Sequence, residues 1–153
     1  MVRGLEHFRD WFSPYKNHYV IIGGTACDLI LDQAGLPFRA TKDLDVVLMV
    51  DTVDPVFAQH FWDYIRQGAY TTKQKSSGRP RAYRFERPAN PQSPHMIELF
   101  ARSPEFLEDE HIRGPVVPLP VDDPEISSLS AILLDDEAFR FLQTGTIEIQ
   151  DVP

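Results

Sequence analysis

Two neighbouring stretches decide how this chain folds: Tyr19-Val20-Ile21-Ile22-Gly23-Gly24-Thr25-Ala26, and Arg39-Ala40-Thr41-Lys42-Asp43-Leu44-Asp45-Val46-Val47-Leu48. The first opens with a short apolar run rich in β-branched residues and breaks at a glycine pair, so it reads as a strand, a tight turn and a helix. The helix is expected from Thr25 to Ala34, with Ala26, Leu29, Ile30 and Ala34 on one face and Gly35 as its stop. The second stretch is polar and basic until Leu44. It then runs apolar to Val50, interrupted by Asp45, as a central strand does.

Working outward, Leu5, Phe8, Trp11 and Phe12 recur at helical spacing, and Ser13-Pro14 ends that helix. Asp54 and Pro55 open another helix as N-cap and first helical residue. Phe57, Phe61, Tyr64 and Ile65 line its apolar face, and Gly68 closes it. Strands are expected over 69–72, 82–86 and 95–101, with a polar loop over 73–80 and a short strand at Val116-Val117. Residues 124–134 and 135–143 read as helical, and 146–149 as a terminal strand. This order predicts an α/β (α+β) domain, a mixed β-sheet with flanking helices.

The 153 residues suffice for one domain with a sizeable core, and 42% of them are hydrophobic, which excludes disorder over the whole length. No apolar run reaches the ~18 residues of a membrane span. No apolar block follows Met1, so a cytoplasmic protein with no membrane partner is expected. Cys27 is the single cysteine, which excludes an internal disulfide; its apolar neighbourhood predicts a buried, inert thiol. The histidines His7, His18, His60, His95 and His111 show no zinc-ligand spacing. The net charge of −8 argues against a general nucleic-acid coat. The charge is uneven, however. Arg66, Lys73, Lys75, Arg79, Arg81, Arg84 and Arg87 cluster with Glu86 as their only acid, which suggests a local anion-binding surface on an acidic body.

Asp43-Leu44-Asp45 is the most informative triplet. Alternate side chains of a strand share a face, so both carboxylates point one way while Leu44 turns into the core. Paired carboxylates repel, and a hard cation such as Mg²⁺ relieves the conflict. Two solvated acids at a strand end are the plainer reading. Three neighbours favour the metal. Gly23-Gly24-Thr25 opens a helix whose free N–H groups suit a phosphate, although an ordinary tight turn has the same composition. Arg39, Thr41 and Lys42 lead into the acid pair, as phosphate ligands or as a solvated loop. Glu98, inside the apolar run Met96-Ile97-Glu98-Leu99-Phe100, needs a metal or a partner, and a salt bridge to Arg84 satisfies it equally.

Taken together, Ile22-Gly23-Gly24-Thr25, Asp43-Leu44-Asp45 and Glu98 resemble the nucleotidyltransferase fold of the DNA polymerase β type. Gly23-Gly24-Thr25-Ala26 followed by Arg39-x-Thr41-x-Asp43-x-Asp45 is most similar to the AbiEii-type nucleotidyltransferases, some of which are toxins of toxin–antitoxin or phage-defence systems. The resemblance covers residues 19 to 50 well and 96 to 100 less closely. Glu98 departs from the aspartate common at that place. The resemblance implies a single nucleotidyltransferase-like domain over residues 1–153 without the C-terminal helical region of relatives. It implies an enzyme in which Asp43, Asp45 and Glu98 hold Mg²⁺ or Mn²⁺, with Glu98 as a further metal ligand or the base. Gly23, Gly24, Thr25, Arg39, Thr41 and Lys42 would bind a nucleoside triphosphate. Lys73, Lys75, Arg79, Arg81 and Arg84 would hold an acceptor such as RNA, unless that run is a solvated hairpin. An antitoxin protein is the implied partner. The competing expectations are a non-catalytic nucleotide-binding or protein-interaction module on the same fold, a metal-dependent hydrolase using the same carboxylates, and a structural protein.

Overall fold

The computed structural model describes residues 2–39, 41–49, 55–72, 84–102, 116–118, 130–134, 136–149 and 151–153. Helix α1 (Leu5–Trp11) runs into a 3-10 helix (Ser13–His18) with Pro14 in its first turn. Strand β1 (Tyr19–Ile22) and helix α2 (Gly23–Gln33) follow, then β2 (Asp43–Leu48) and α3 (Pro55–Gly68). Strands β3 (Thr71–Thr72), β4 (Arg84–Glu86), β5 (Met96–Arg102), β6 (Val116–Pro118) and β7 (Ser130–Leu134) complete the sheet before α4 (Asp136–Gly145). The described residues thus form a mixed α/β arrangement of one sheet with flanking helices. Among the described residues, no helix is long and apolar enough to cross a membrane.

The strand order is β1-β2-β5-β4-β3, and β7 pairs with both β5 and β6. β2 runs antiparallel to β1 and parallel to β5. The opposite edge of β5 is shared: Met96 to Glu98 pair with β4, and Phe100 to Arg102 pair with β7. The period of two along each strand separates two faces. One face carries Tyr19, Ile21, Leu44, Val46, Leu48, Phe85, Ile97 and Leu99, all buried in the core. Phe8 and Phe12 of the first helical segment meet Tyr19 there, and Phe61 of α3 meets Phe85. Burying each such ring contributes roughly 1.5–3 kcal/mol, which explains why the apolar stripes of α1 and α3 lie against this face. The other face carries Asp43, Asp45 and Glu98.

Three expectations change. Residues 130–134 form a strand, not the end of a helix, since a short apolar run fits either state until a partner edge is present. The expected helix over 124–129 lies outside the described residues. The terminal segment makes an isolated bridge between Ile149 and Val152 in place of a strand. Cys27 is exposed rather than buried: it borders an open apolar cavity between α2, β1 and α4 instead of the packed core.

Candidate functional site

The register sets the site. Ile22, Asp45, Glu98 and Arg84 are consecutive partners across β1, β2, β5 and β4, so they form one row on the non-core face. Asp43 lies two residues before Asp45 on the same face, paired with Met96. The fold therefore places the three acids on adjacent strands at the centre of the sheet.

The glycine turn closes on this row. Gly23 has φ +69°, a left-handed conformation that L side chains rarely adopt. A Cβ there would stand 2.3 Å from Asp45 Oδ2. Glycine is thus required twice, for the turn and for the close approach of the α2 N-terminus to the carboxylate. A Cβ on Gly24 would stand 3.2 Å from the Thr41 side chain. Thr25 is fully buried and donates its hydroxyl hydrogen to the Asp43 carbonyl at 2.8 Å. It ties α2 to the start of β2 and positions the acids from beneath, without facing the open side.

Charge is concentrated along the row. Glu98 is 8% exposed. Its Oε1 accepts hydrogen bonds from Arg84 Nε at 2.8 Å and from a terminal guanidinium nitrogen of Arg84 at 2.5 Å. Of the two partners open to Glu98 in the sequence, the structure therefore shows the arginine. Asp45 is half-buried. Burial raises its carboxyl above the usual value of 3.8, the Glu98 and Asp43 charges raise it further, and Arg84 pulls it back. A carboxylate so crowded by two others gains from a nearby cation.

A polar cavity of about 590 Å³ opens beside Asp43, lined by Gly24, Phe38, Arg39, Thr41, Lys42, Asp43 and His95. Gly24, Arg39, Thr41, Lys42 and Asp43 were singled out in the sequence, and they converge here. Phe38 and His95 were not. His95 immediately precedes Met96, the partner of Asp43, so parallel pairing of β2 with β5 brings it beside Lys42. That pairing was the missing signal. Arg84, expected to hold an acceptor, holds Glu98. Lys73, Lys75, Arg79 and Arg81 lie outside the described residues.

As to a metal, the chemistry of the donor set fits a hard cation: Asp43 and Asp45 present carboxylate oxygens on one face, and Mg²⁺ commonly uses one or two carboxylates completed by phosphate oxygens. As the side chains stand, no group of three or more His, Cys, Asp or Glu among the described residues converges on a metal position. Comparison of the chain with known protein families, with curated proteins and with solved structures gives no match.

Proposed function

We propose that this protein is a metal-dependent nucleotidyltransferase that moves a nucleoside monophosphate from a triphosphate to an acceptor. The observation that carries the reading is the convergence of Asp43 and Asp45, on one face of a central strand, with the α2 N-terminus at Gly23-Gly24 and a cavity bearing Arg39, Lys42 and Asp43. Anionic phosphates favour such a place, since helix N–H groups and two cations face them from one side. Arg39 suits bidentate phosphate contact, and Lys42 adds a compact charge. Asp43 and Asp45 would hold Mg²⁺ or Mn²⁺, which supplies charge neutralisation at the leaving pyrophosphate. Glu98, held by Arg84, fixes the negative field behind Asp45. The nucleotidyltransferase-like fold, a role as a toxin or defence component, an RNA acceptor on the basic run and an antitoxin partner rest on the sequence resemblance and belong to this proposal.

The test is incubation with each radiolabelled triphosphate, Mg²⁺ and total RNA, for the native protein and for Asp43→Asn with Asp45→Asn. Transfer of label by the native protein and its loss in the double variant is the expected result. Equal labelling in both would sink the role of the pair.

A second reading is favoured by one contact. The Arg84–Glu98 ion pair occupies the third acid. A module that binds nucleotide without transferring it needs no third acid free. Retained triphosphate binding with no label transfer would select that reading.

A further inference from the structure

We propose that Phe38 is the platform on which the nucleobase of the bound triphosphate stacks. This inference rests on the nucleotide reading above and names which part of the cavity takes which part of the ligand.

Phe38 is 43% exposed, whereas Phe8, Phe12, Phe57, Phe61 and Phe85 are almost fully buried. Those five rings pack against other rings of the core, while Phe38 stands at the wall of a polar cavity. An exposed phenyl gives up the gain that burial brings, and a flat apolar ligand group laid on it recovers that gain. The chemistry of the other walls is already matched. Arg39, Lys42 and the backbone at Gly24 suit phosphates, and Asp43 suits a metal. The remaining walls are Thr41, His95 and Phe38; the first two can donate hydrogen bonds to phosphate oxygens, which leaves Phe38 as the one apolar wall. The cavity volume, about 590 Å³, falls in the range of sites that enclose a whole small molecule rather than an isolated phosphate.

The backbone favours this role. Residues 36–39 form neither helix nor strand. Pro37 fixes its own φ and biases Leu36 toward an extended conformation, so Phe38 is presented from a stiffened segment. Arg39 follows directly, which sets phosphate contact and base contact one residue apart. Every base has a π-face, so stacking on Phe38 confers affinity with little discrimination among bases.

The experiment is calorimetric titration in Mg²⁺ of the native protein, Phe38→Ala and Phe38→Trp, with ATP, UTP and inorganic tripolyphosphate as probes. Because base–aromatic stacking carries a factor of roughly ten in affinity, Phe38→Ala is expected to bind ATP and UTP about tenfold more weakly. Its tripolyphosphate affinity is expected to stay unchanged. Phe38→Trp is expected to restore nucleotide binding, with indole emission quenched by ATP and untouched by tripolyphosphate. Equal losses for all probes, or no loss for the nucleotides, would overturn the stacking role while leaving the nucleotide reading in place. A native protein that binds neither nucleotide nor tripolyphosphate would overturn both.

Discussion

Asp45 concentrates the cost and the use of this site in one side chain. Its carboxyl holds a proton to higher pH in the folded chain than in the unfolded one, because burial and then Glu98 and Asp43 disfavour its charge. Between the unfolded and the folded value the native state binds more protons, so stability falls as pH rises through that window and the penalty is complete above it. Asp45→Asn removes the charge. The metal-free variant is therefore expected to melt above the native protein at pH 7, with the difference vanishing below the ordinary carboxylate range. Magnesium is expected to raise the melting temperature of the native protein and not that of the variant. Thermal melts at about pH 2.5 and pH 7, with and without Mg²⁺, check both; a variant that melts lower than the native protein at pH 7 without metal refutes the account. At this scale the acid pair and the glycine turn were legible, because a period of two and a φ-permissive residue are local properties. The partner of Glu98 was legible as a choice between metal and Arg84. Phe38 and His95 were not, since loop positions follow no period and acquire a face only when β2 and β5 pair.

The elements show the same boundary between local and long-range information. Helix α3 was readable from Phe57, Phe61, Tyr64 and Ile65, and its observed span starts at the expected Pro55 and ends at the expected Gly68. The residue that follows, Ala69, is left-handed, with φ 51°. Strand β7 differs from the helix expected there because Ala131-Ile132-Leu133-Leu134, as a short apolar run, satisfies a helix turn as well as a strand. What decides it is the second half of β5, whose Phe100 to Arg102 lie past the end of β4 and pair with Ile132 to Leu134. The packing of α3 on the core face supplies a test at this scale. Phe61 is 1% exposed and touches Phe12, Phe57 and Phe85. Phe61→Ala leaves a cavity among these rings and is expected to cost about 3–5 kcal/mol. Urea unfolding measures it, and a cost under ~1 kcal/mol would mean that α3 is not seated as described.

Across the whole molecule, the arrangement least accessible to sequence is the strand order. β5 inserts between β2 and β4, so the acids of β2 meet Glu98 only through a crossover that no local pattern announces. The far end of the chain adds a second long-range element. The Pro153 carbonyl accepts a hydrogen bond from the Ile21 N–H at 2.8 Å, so residue 153 lies on the outer edge of β1. Ile149 and Val152 exchange backbone hydrogen bonds at 3.0 and 2.9 Å, and both side chains are buried in the core cluster. Lys16 bridges to Glu148 and Asp151 over the same segment. Two forces thus hold this clasp, and their magnitudes differ. The ion pairs are exposed and screened, and such pairs contribute little. The buried aliphatic groups contribute through transfer from water at about 0.8 kcal/mol per methylene, with a further term for the cavity left behind. Val152→Ala is therefore expected to lower stability by roughly 2 kcal/mol and the urea midpoint by on the order of 1 M. Lys16→Ala is expected to leave the midpoint unmoved. Since β1 carries Ile22 into the row with Asp45, loosening its edge is also expected to weaken triphosphate binding in Val152→Ala more than in Lys16→Ala. A larger loss from Lys16→Ala would show that charge, not burial, fastens the C-terminal segment to the sheet.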